Sequence, residues 1–246
     1  MRNFLWTISV LCLLFTATCS VAEEWEQFRG GGGGKLDSIQ HPLKWSADEN
    51  VAWKIPMKGS GWSSPVVAGD RIYLTSAESE TTDKPKGMMA GVAAMGTYRN
   101  AKPVEYSYVV SCFRLADGKP VWRKNVGKSV PPVVHPSNTY ATESPVTDGK
   151  SVFTYFATTG KLTAWDLDGE ELWNLELGTF KINSGFGTGS SLAINDGLLF
   201  VQHDNDEKSF IAAFNTKDGK EVWRNDRDSG NSWSTPLIWK NDSKQS

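Results

Sequence analysis

Cysteine is scarce in this chain. Its 246 residues hold three, and two of them, Cys12 and Cys19, lie within the first 22 residues. No CxxC pair occurs, which excludes a disulfide framework and a structural zinc knuckle. Charge of one sign is not in excess either. Lys and Arg number 26 against 28 Asp and Glu, a formal net charge of −2, and this argues against nucleic-acid binding by phosphate neutralisation. No apolar run reaches the roughly 18 residues that a membrane-spanning helix needs. HExxH, GxSxG and P-loop patterns are missing, so the sequence names no catalytic residue and no metal site. The Gly185 to Gly189 stretch leads into a strand-like run, not a helix, so it is no phosphate cradle. A sustained 3.6-residue apolar stripe is absent too, and helices are not expected. What the chain does have is 39% hydrophobic residues, 23 glycines and 11 tryptophans.

Residues 1–22 read as an export signal: Arg2, the apolar stretch from Phe4 to Phe15, and the small residues Ser20 and Ala22 ahead of Glu23. Cleavage before Glu23 leaves Cys112 as the one cysteine of the mature chain and places it in the periplasm or outside the cell. Lipidation at Cys19 is the rival, weakened by the lack of a leucine before it. Residues 23–60 form an opening segment with a closing strand at Trp53, and residues 61–246 form the repeated region.

Tryptophan reveals the repeat. Asp117-Gly118-Lys119-Pro120-Val121-Trp122 returns as Asp168-Gly169-Glu170-Glu171-Leu172-Trp173 and again as Asp218-Gly219-Lys220-Glu221-Val222-Trp223, at intervals of 51 and 50 residues. Each copy follows an alternating apolar run, and Asp-Gly between two such runs signals a hairpin, because glycine takes positive φ without steric cost. A second marker keeps step: Trp62-Ser63-Ser64-Pro65, Glu143-Ser144-Pro145, Ser190-Ser191-Leu192 and Trp233-Ser234-Thr235-Pro236, each ahead of a further strand-like run. Four short strands in about 50 residues is the arithmetic of a propeller blade. The expected fold is therefore an all-β propeller of four-stranded antiparallel blades. Trp53, Trp122, Trp173 and Trp223 would mark the blade ends, each wedged between sheets and burying on the order of 200 Å².

These residues resemble the tryptophan-docking repeat of quinoprotein propellers. The runs Ala164 to Trp173, Ala213 to Trp223 and Phe113 to Trp122, with Trp25-Glu26-Gln27-Phe28-Arg29-Gly30 at the start, are similar to exported bacterial PQQ-binding-like β-propeller repeat proteins over nearly all of residues 25–240. Two features depart from that pattern. The Gly30 to Gly34 run is long, and only three to four blades are present where a closed ring needs roughly 350–400 residues. The chain reads as an N-terminal fragment of a longer propeller, which implies the remaining blades as its partner.

The resemblance implies two functions. One is a non-catalytic scaffold of the cell envelope with a protein partner, similar in repeat type to the BamB-like assembly propellers. The other is a PQQ-dependent oxidoreductase of alcohols or sugars, holding PQQ with calcium mostly in the missing blades. The vicinal cysteine pair of the alcohol-oxidising members cannot exist here. Cys112, set among Val109, Val110 and Phe113, reads as a small buried hydrophobe. The polar run His203 to Lys208 lacks the glycine and distal glutamate of a calcium loop and reads as a solvated hairpin tip. His41, His135 and His203 show no metal spacing. Trp62, Tyr140, Phe186 and Trp233, each followed by small hydroxyl residues, form a candidate ligand face, with blade-to-blade packing as the competing role. Residues 76–107 read as an insertion in the first blade, with Met88, Met89 and Met95 among small residues.

Overall fold

The computed structural model describes residues 25–30, 34, 42–80, 104–135, 137–182 and 185–239. Residues 1–24, which hold the expected export signal with Cys12 and Cys19, and residues 31–33, 35–41 with His41, 81–103 of the insertion, 136, 183–184 and 240–246 lie outside the described residues.

Alternating apolar patterns broken by Asp-Gly turns produce hairpins, and the hairpins stack into three antiparallel sheets of four strands. The first contains β1 (Val66–Ala68), β2 (Arg71–Glu78), β3 (Tyr106–Arg114) and β4 (Pro120–Ser129). The second contains β5 (Val146–Thr147), β6 (Ser151–Phe156), β7 (Lys161–Asp166) and β8 (Glu171–Glu176). The third contains β9 (Ala193–Asn195), β10 (Leu198–His203), β11 (Ser209–Asn215) and β12 (Glu221–Arg227). Strand order within each sheet follows chain order. This is an all-β propeller with an open ring. Among the described residues no helix is long and apolar enough to cross a membrane.

Both ends of the 76–107 insertion belong to the first sheet, since Ser76, Ala77 and Glu78 pair with Val109, Tyr108 and Ser107. The region around Trp53 forms no strand, because no described segment lies alongside it to complete a ladder.

The core lies between blades. Phe153, Tyr155 and Leu162 of the second blade meet Leu199, Phe210 and Phe214 of the third. Tyr108 and Val110 of the first meet Phe156 and Trp165 of the second. Cys112 is fully buried with Val66, Tyr73 and Val152, and burial pushes its thiol up to about 11. A thiol held that far above neutrality is not a nucleophile at physiological pH.

The inner strands β1, β5 and β9 neighbour one another, and the opening segment crosses all three. Trp25 exchanges backbone hydrogen bonds with Val67, the Glu26 carbonyl accepts from the Thr147 N–H, and the Gln27 Oε1 accepts from the Ile194 N–H at 3.1 Å. Inner-edge donors that a short strand would leave bare are thereby satisfied.

Each outer hairpin carries the same irregularity. Register shifts occur at Cys112/Phe113, Ala164/Trp165 and Ala213/Phe214. In each, one extra residue of the outer strand bulges out: Val121, Leu172 and Val222. That residue is exposed despite being apolar, and the bulge turns the tryptophan after it toward the neighbouring blade. The Trp53 Nε1–H donates to the Leu115 carbonyl at 2.8 Å, Trp122 to Leu167 at 2.8 Å and Trp173 to Thr216 at 3.0 Å. Beneath each ring lies the turn glycine of the next blade. A Cβ on Gly118, Gly169 or Gly219 would meet the indole at 2.6, 2.7 and 2.8 Å, and all three have positive φ. These turns need glycine for two reasons, backbone conformation and close approach.

Candidate functional site

The loops that enter the inner strands are joined by a ladder of hydroxyl groups. The Ser144 Oγ accepts from the Ser64 N–H at 2.9 Å, the Ser191 Oγ from the Ser144 N–H at 2.9 Å, and the Thr235 Oγ1 from the Ser191 N–H at 3.1 Å. Each blade thus satisfies a backbone donor of the one before it. Ser144 works in both directions, so Ser144→Ala leaves the Ser64 N–H unpaired. We expect a loss of about 1–3 kcal/mol in urea unfolding, with Ser144→Thr keeping most of the stability.

The ladder also sets the register of the repeats. Ser64, Ser144, Ser191 and Thr235 are equivalent, so Trp62, Thr142, Gly189 and Trp233 share one position, two residues earlier. Tyr140 and Phe186 stand two and three residues further back, and the four candidate aromatics do not occupy one repeated place. Trp62 is 53% exposed. Tyr140 has positive φ (60°), packs on Tyr106 at 4.7 Å and donates its hydroxyl to the Pro132 carbonyl. Phe186 and Trp233 come together edge-on at 6.2 Å. Each is 44% exposed, and the Trp233 Nε1–H donates to the Gly187 carbonyl at 2.8 Å.

Phe186 and Trp233 wall an open pocket of about 390 Å³ with Ser137, Asn138, Thr142, Thr188 and Gly189. Glycine stands at position 189 where the equivalent positions hold Trp62, Thr142 and Trp233, and even a Cβ there would lie 3.2 Å from Trp233 and 3.3 Å from Thr142, so a larger side chain would fill the pocket. Asn138 braces the rim, its Nδ2 donating to the Thr188 carbonyl at 2.7 Å and its Oδ1 accepting from the Tyr140 N–H at 2.8 Å.

Behind Thr188 lies Glu143, which pattern reading missed. Its equivalents Ser63, Ser190 and Ser234 all have hydrogen-bond partners for their hydroxyls. Glu143 is 1% exposed, and neither of its carboxyl oxygens has a hydrogen-bond partner among the described residues. The Thr142 and Thr188 hydroxyls beside it are unpartnered in the same way. Burial pushes the Glu143 carboxyl up to about 7. The Thr188 hydroxyl and nearby backbone N–H groups oppose this in part, without reaching hydrogen-bond geometry. The break in the repeat was visible in the sequence; the missing partners needed the fold.

The run from His203 to Lys208 does form the β10–β11 hairpin, but its first half is buried, not solvated. His203, Asp204 and Asn205 are at most 3% exposed. Arg227 pairs with Asp204 at 2.7 Å, Asn205 caps its own turn through the Glu207 and Lys208 N–H groups, and the His203 Nδ1 meets the Tyr155 hydroxyl at 2.8 Å. The strand continues inward past the point where polarity had suggested solvent.

A family model described as "Outer membrane protein assembly factor BamB" matches residues 107–238. No curated protein matches the chain. Among solved structures, a quinohemoprotein alcohol dehydrogenase from Comamonas testosteroni is 15% identical, with 85% of this chain and 28% of that one covered and a TM-score of 0.48. The quinohemoprotein alcohol dehydrogenase ADHIIG from Pseudomonas putida HK5 is 15% identical over 70% of this chain and 22% of that one, with a TM-score of 0.41. BamB from Moraxella catarrhalis is 15% identical over 71% of this chain and 51% of that one, with a TM-score of 0.32. The chain thus spans about a quarter of the length of the two dehydrogenases and about half that of the BamB structure. With more than half of its residues inside the family match, the chain belongs to the PQQ-repeat propeller family described as outer membrane protein assembly factor BamB.

Proposed function

We propose that the chain is part of an exported, non-catalytic propeller that binds a protein partner in the cell envelope. The observation that carries this reading is the pocket at Phe186 and Trp233, where aromatic surface stays exposed beside hydroxyl groups. Such a surface is a binding surface by composition. The description of the family, an assembly factor, agrees with it.

The oxidoreductase reading needs a place for PQQ, a planar ring bearing carboxylates, beside calcium. The described pocket does not fit that group. Among the described residues no Lys or Arg lines it to meet the carboxylates. Calcium would gain few ligands there, since no cluster of three or more His, Cys, Asp or Glu residues exists among the described residues.

Two measurements test the proposal. After addition of PQQ and calcium, the whole propeller of which this chain is part is expected to reduce no dye with alcohols or aldose sugars. A photo-crosslinker at position 186 is expected to give a discrete protein adduct in envelopes, and Trp233→Ala should remove it. Turnover above background, or an adduct indifferent to Trp233, would overturn the reading.

A further inference from the structure

Five Asp-Gly pairs punctuate the chain, at 117–118, 148–149, 168–169, 196–197 and 218–219. Glycine follows aspartate in every case, so the nearest chemistry is the same and the fold sorts the pairs. We propose that Asp196-Gly197, in the turn between β9 and β10, is a site of spontaneous isoaspartate formation from which the other four pairs are protected. The Gly197 amide nitrogen attacks Cγ of the protonated Asp196 carboxyl. A C–N bond forms, and the amide proton leaves with the carboxyl hydroxyl as water, giving a five-membered succinimide. A solvent water then adds to one of its two carbonyls. Opening at Cγ restores aspartate. Opening at the backbone carbonyl breaks the original peptide bond and routes the chain through Cβ and Cγ. Nothing is oxidised or reduced.

The nucleophile is free at this pair and held at the others. The Gly118, Gly169 and Gly219 N–H groups donate to the Arg114, Asp166 and Asn215 carbonyls at 2.9, 3.1 and 2.9 Å, and the Gly149 N–H donates to the Thr147 Oγ1 at 3.1 Å. No hydrogen bond among the described residues uses the Gly197 N–H. Room differs too. Trp53, Trp122 and Trp173 lie against Gly118, Gly169 and Gly219, whereas a Cβ on Gly197 would meet nothing nearer than the Thr216 hydroxyl, at 3.9 Å. The electrophile follows the same division. Asp117 and Asp218 accept from the Lys119 and Lys220 N–H groups and pair with the ammonium groups of the same lysines. Asp168 pairs with Arg71 at 3.1 Å, and Asp148 accepts from the Lys150 and Ser151 N–H groups at 2.9 and 2.6 Å. Such contacts favour the ionised carboxylate, whose oxygen is a poor leaving group. Asp196 is exposed, and among the described residues its one hydrogen-bond partner is the adjacent Asn195 amide, at 2.8 Å. Alone of the five aspartates it has positive φ, 48°. That conformation is disfavoured for a residue with a Cβ, so rotation out of it toward the attack geometry relieves strain.

Isomerisation lengthens the main chain of a two-residue turn by one carbon, next to the Asn195–Leu198 pair that opens the β9–β10 ladder. The experiment incubates the folded protein at mildly acid pH in water enriched in heavy oxygen. Each succinimide opening leaves a label, and peptide mapping assigns the labelled and isoaspartyl positions. We expect labelling at Asp196 at least about fivefold faster than at any other pair, the factor that one hydrogen bond of ordinary net strength represents in a rate. The same protein unfolded in urea should label all five pairs at similar rates. Asp196→Gly, which suits a positive φ, should remove that label and leave the other four as they were. Thr147→Val takes away the oxygen that holds the Gly149 N–H and should raise labelling at Asp148 several-fold. Equal rates at the five pairs in the folded protein, faster labelling at Asp148 than at Asp196, or one order of rates in folded and unfolded protein would overturn the assignment, the last by showing that local sequence sets the order. An unlabelled Asp196 in the folded protein would overturn it too, since the turn would then be too rigid to reach the attack geometry. An unchanged Asp148 in Thr147→Val would overturn the protective role given to the glycine hydrogen bonds.

Discussion

Replacing Trp122 by alanine is expected to destabilise the chain by about 3–5 kcal/mol, and replacing Trp223 by less than about 1 kcal/mol. The two residues occupy equivalent places, opposite Cys112 and Ala213 in their ladders, so propensity and strand position cancel in the comparison. Their surroundings differ. Trp122 covers Gly169, donates to the Leu167 carbonyl, and packs against Tyr73 and Trp165. Its removal opens a cavity between two blades and leaves that carbonyl without its donor. Trp223 is 37% exposed, and no further sheet covers it among the described residues. Urea unfolding with unchanged m-values would report the difference directly. Comparable losses from both variants would show that the indole stabilises its own blade and not the junction with the next.

That comparison also shows which parts of the structure sequence reasoning could reach. The interval between tryptophans and the Asp-Gly turns ahead of them were enough for the blades, because both features act within one hairpin. The bulges at Val121, Leu172 and Val222 were out of reach. A period-two pattern says which residues alternate, but not where one is inserted. The path of Trp25, Glu26 and Gln27 across three inner strands was hidden as well, since it pairs residues far apart in the chain, up to 167 positions for Gln27 with Ile194. The candidate face shows an intermediate case. The aromatics were visible, but the loops before the inner strands differ in length, and only the hydroxyl ladder reveals that Trp62 and Trp233 are equivalent while Tyr140 and Phe186 are not. The repeat is broken at two places, Gly189, which lines the pocket, and the buried Glu143. Each could be seen by aligning the four loops. What each does depends on burial, which emerges once the blades are packed.

The buried carboxyl leads to the second large effect. Glu143 is raised from the ordinary 4.5 to about 7 by burial. Folding therefore favours its protonated form. Stability linked to this group is fully present below pH 4.5 and is lost as pH rises through 7, by about 3 kcal/mol in total. His203 acts in the opposite sense. Burial pushes it from 6.5 down to about 4, against the pull of Asp204, so its share is present above pH 6.5 and is lost as pH falls toward 4. Between pH 4.5 and 6.5 the two groups oppose each other, and together they give the wild-type chain a shallow dependence there. Glu143→Gln removes one of them. At pH 4.5 the amide replaces a mostly protonated carboxyl of the same shape, and the variant should melt close to wild type. At pH 8 it replaces a buried, unpaired charge, and the variant should be the more stable by about 3 kcal/mol relative to the acid comparison. For a chain of this size that corresponds to about 6–12 °C in Tm. The variant should also show the slope that His203 imposes, losing stability steadily from pH 6.5 downward where wild type stays nearly level. Melting curves of both proteins at several pH values across this range test the argument. A constant offset between them at every pH would mean that Glu143 is ionised in the folded chain throughout, held by a partner group within the protein.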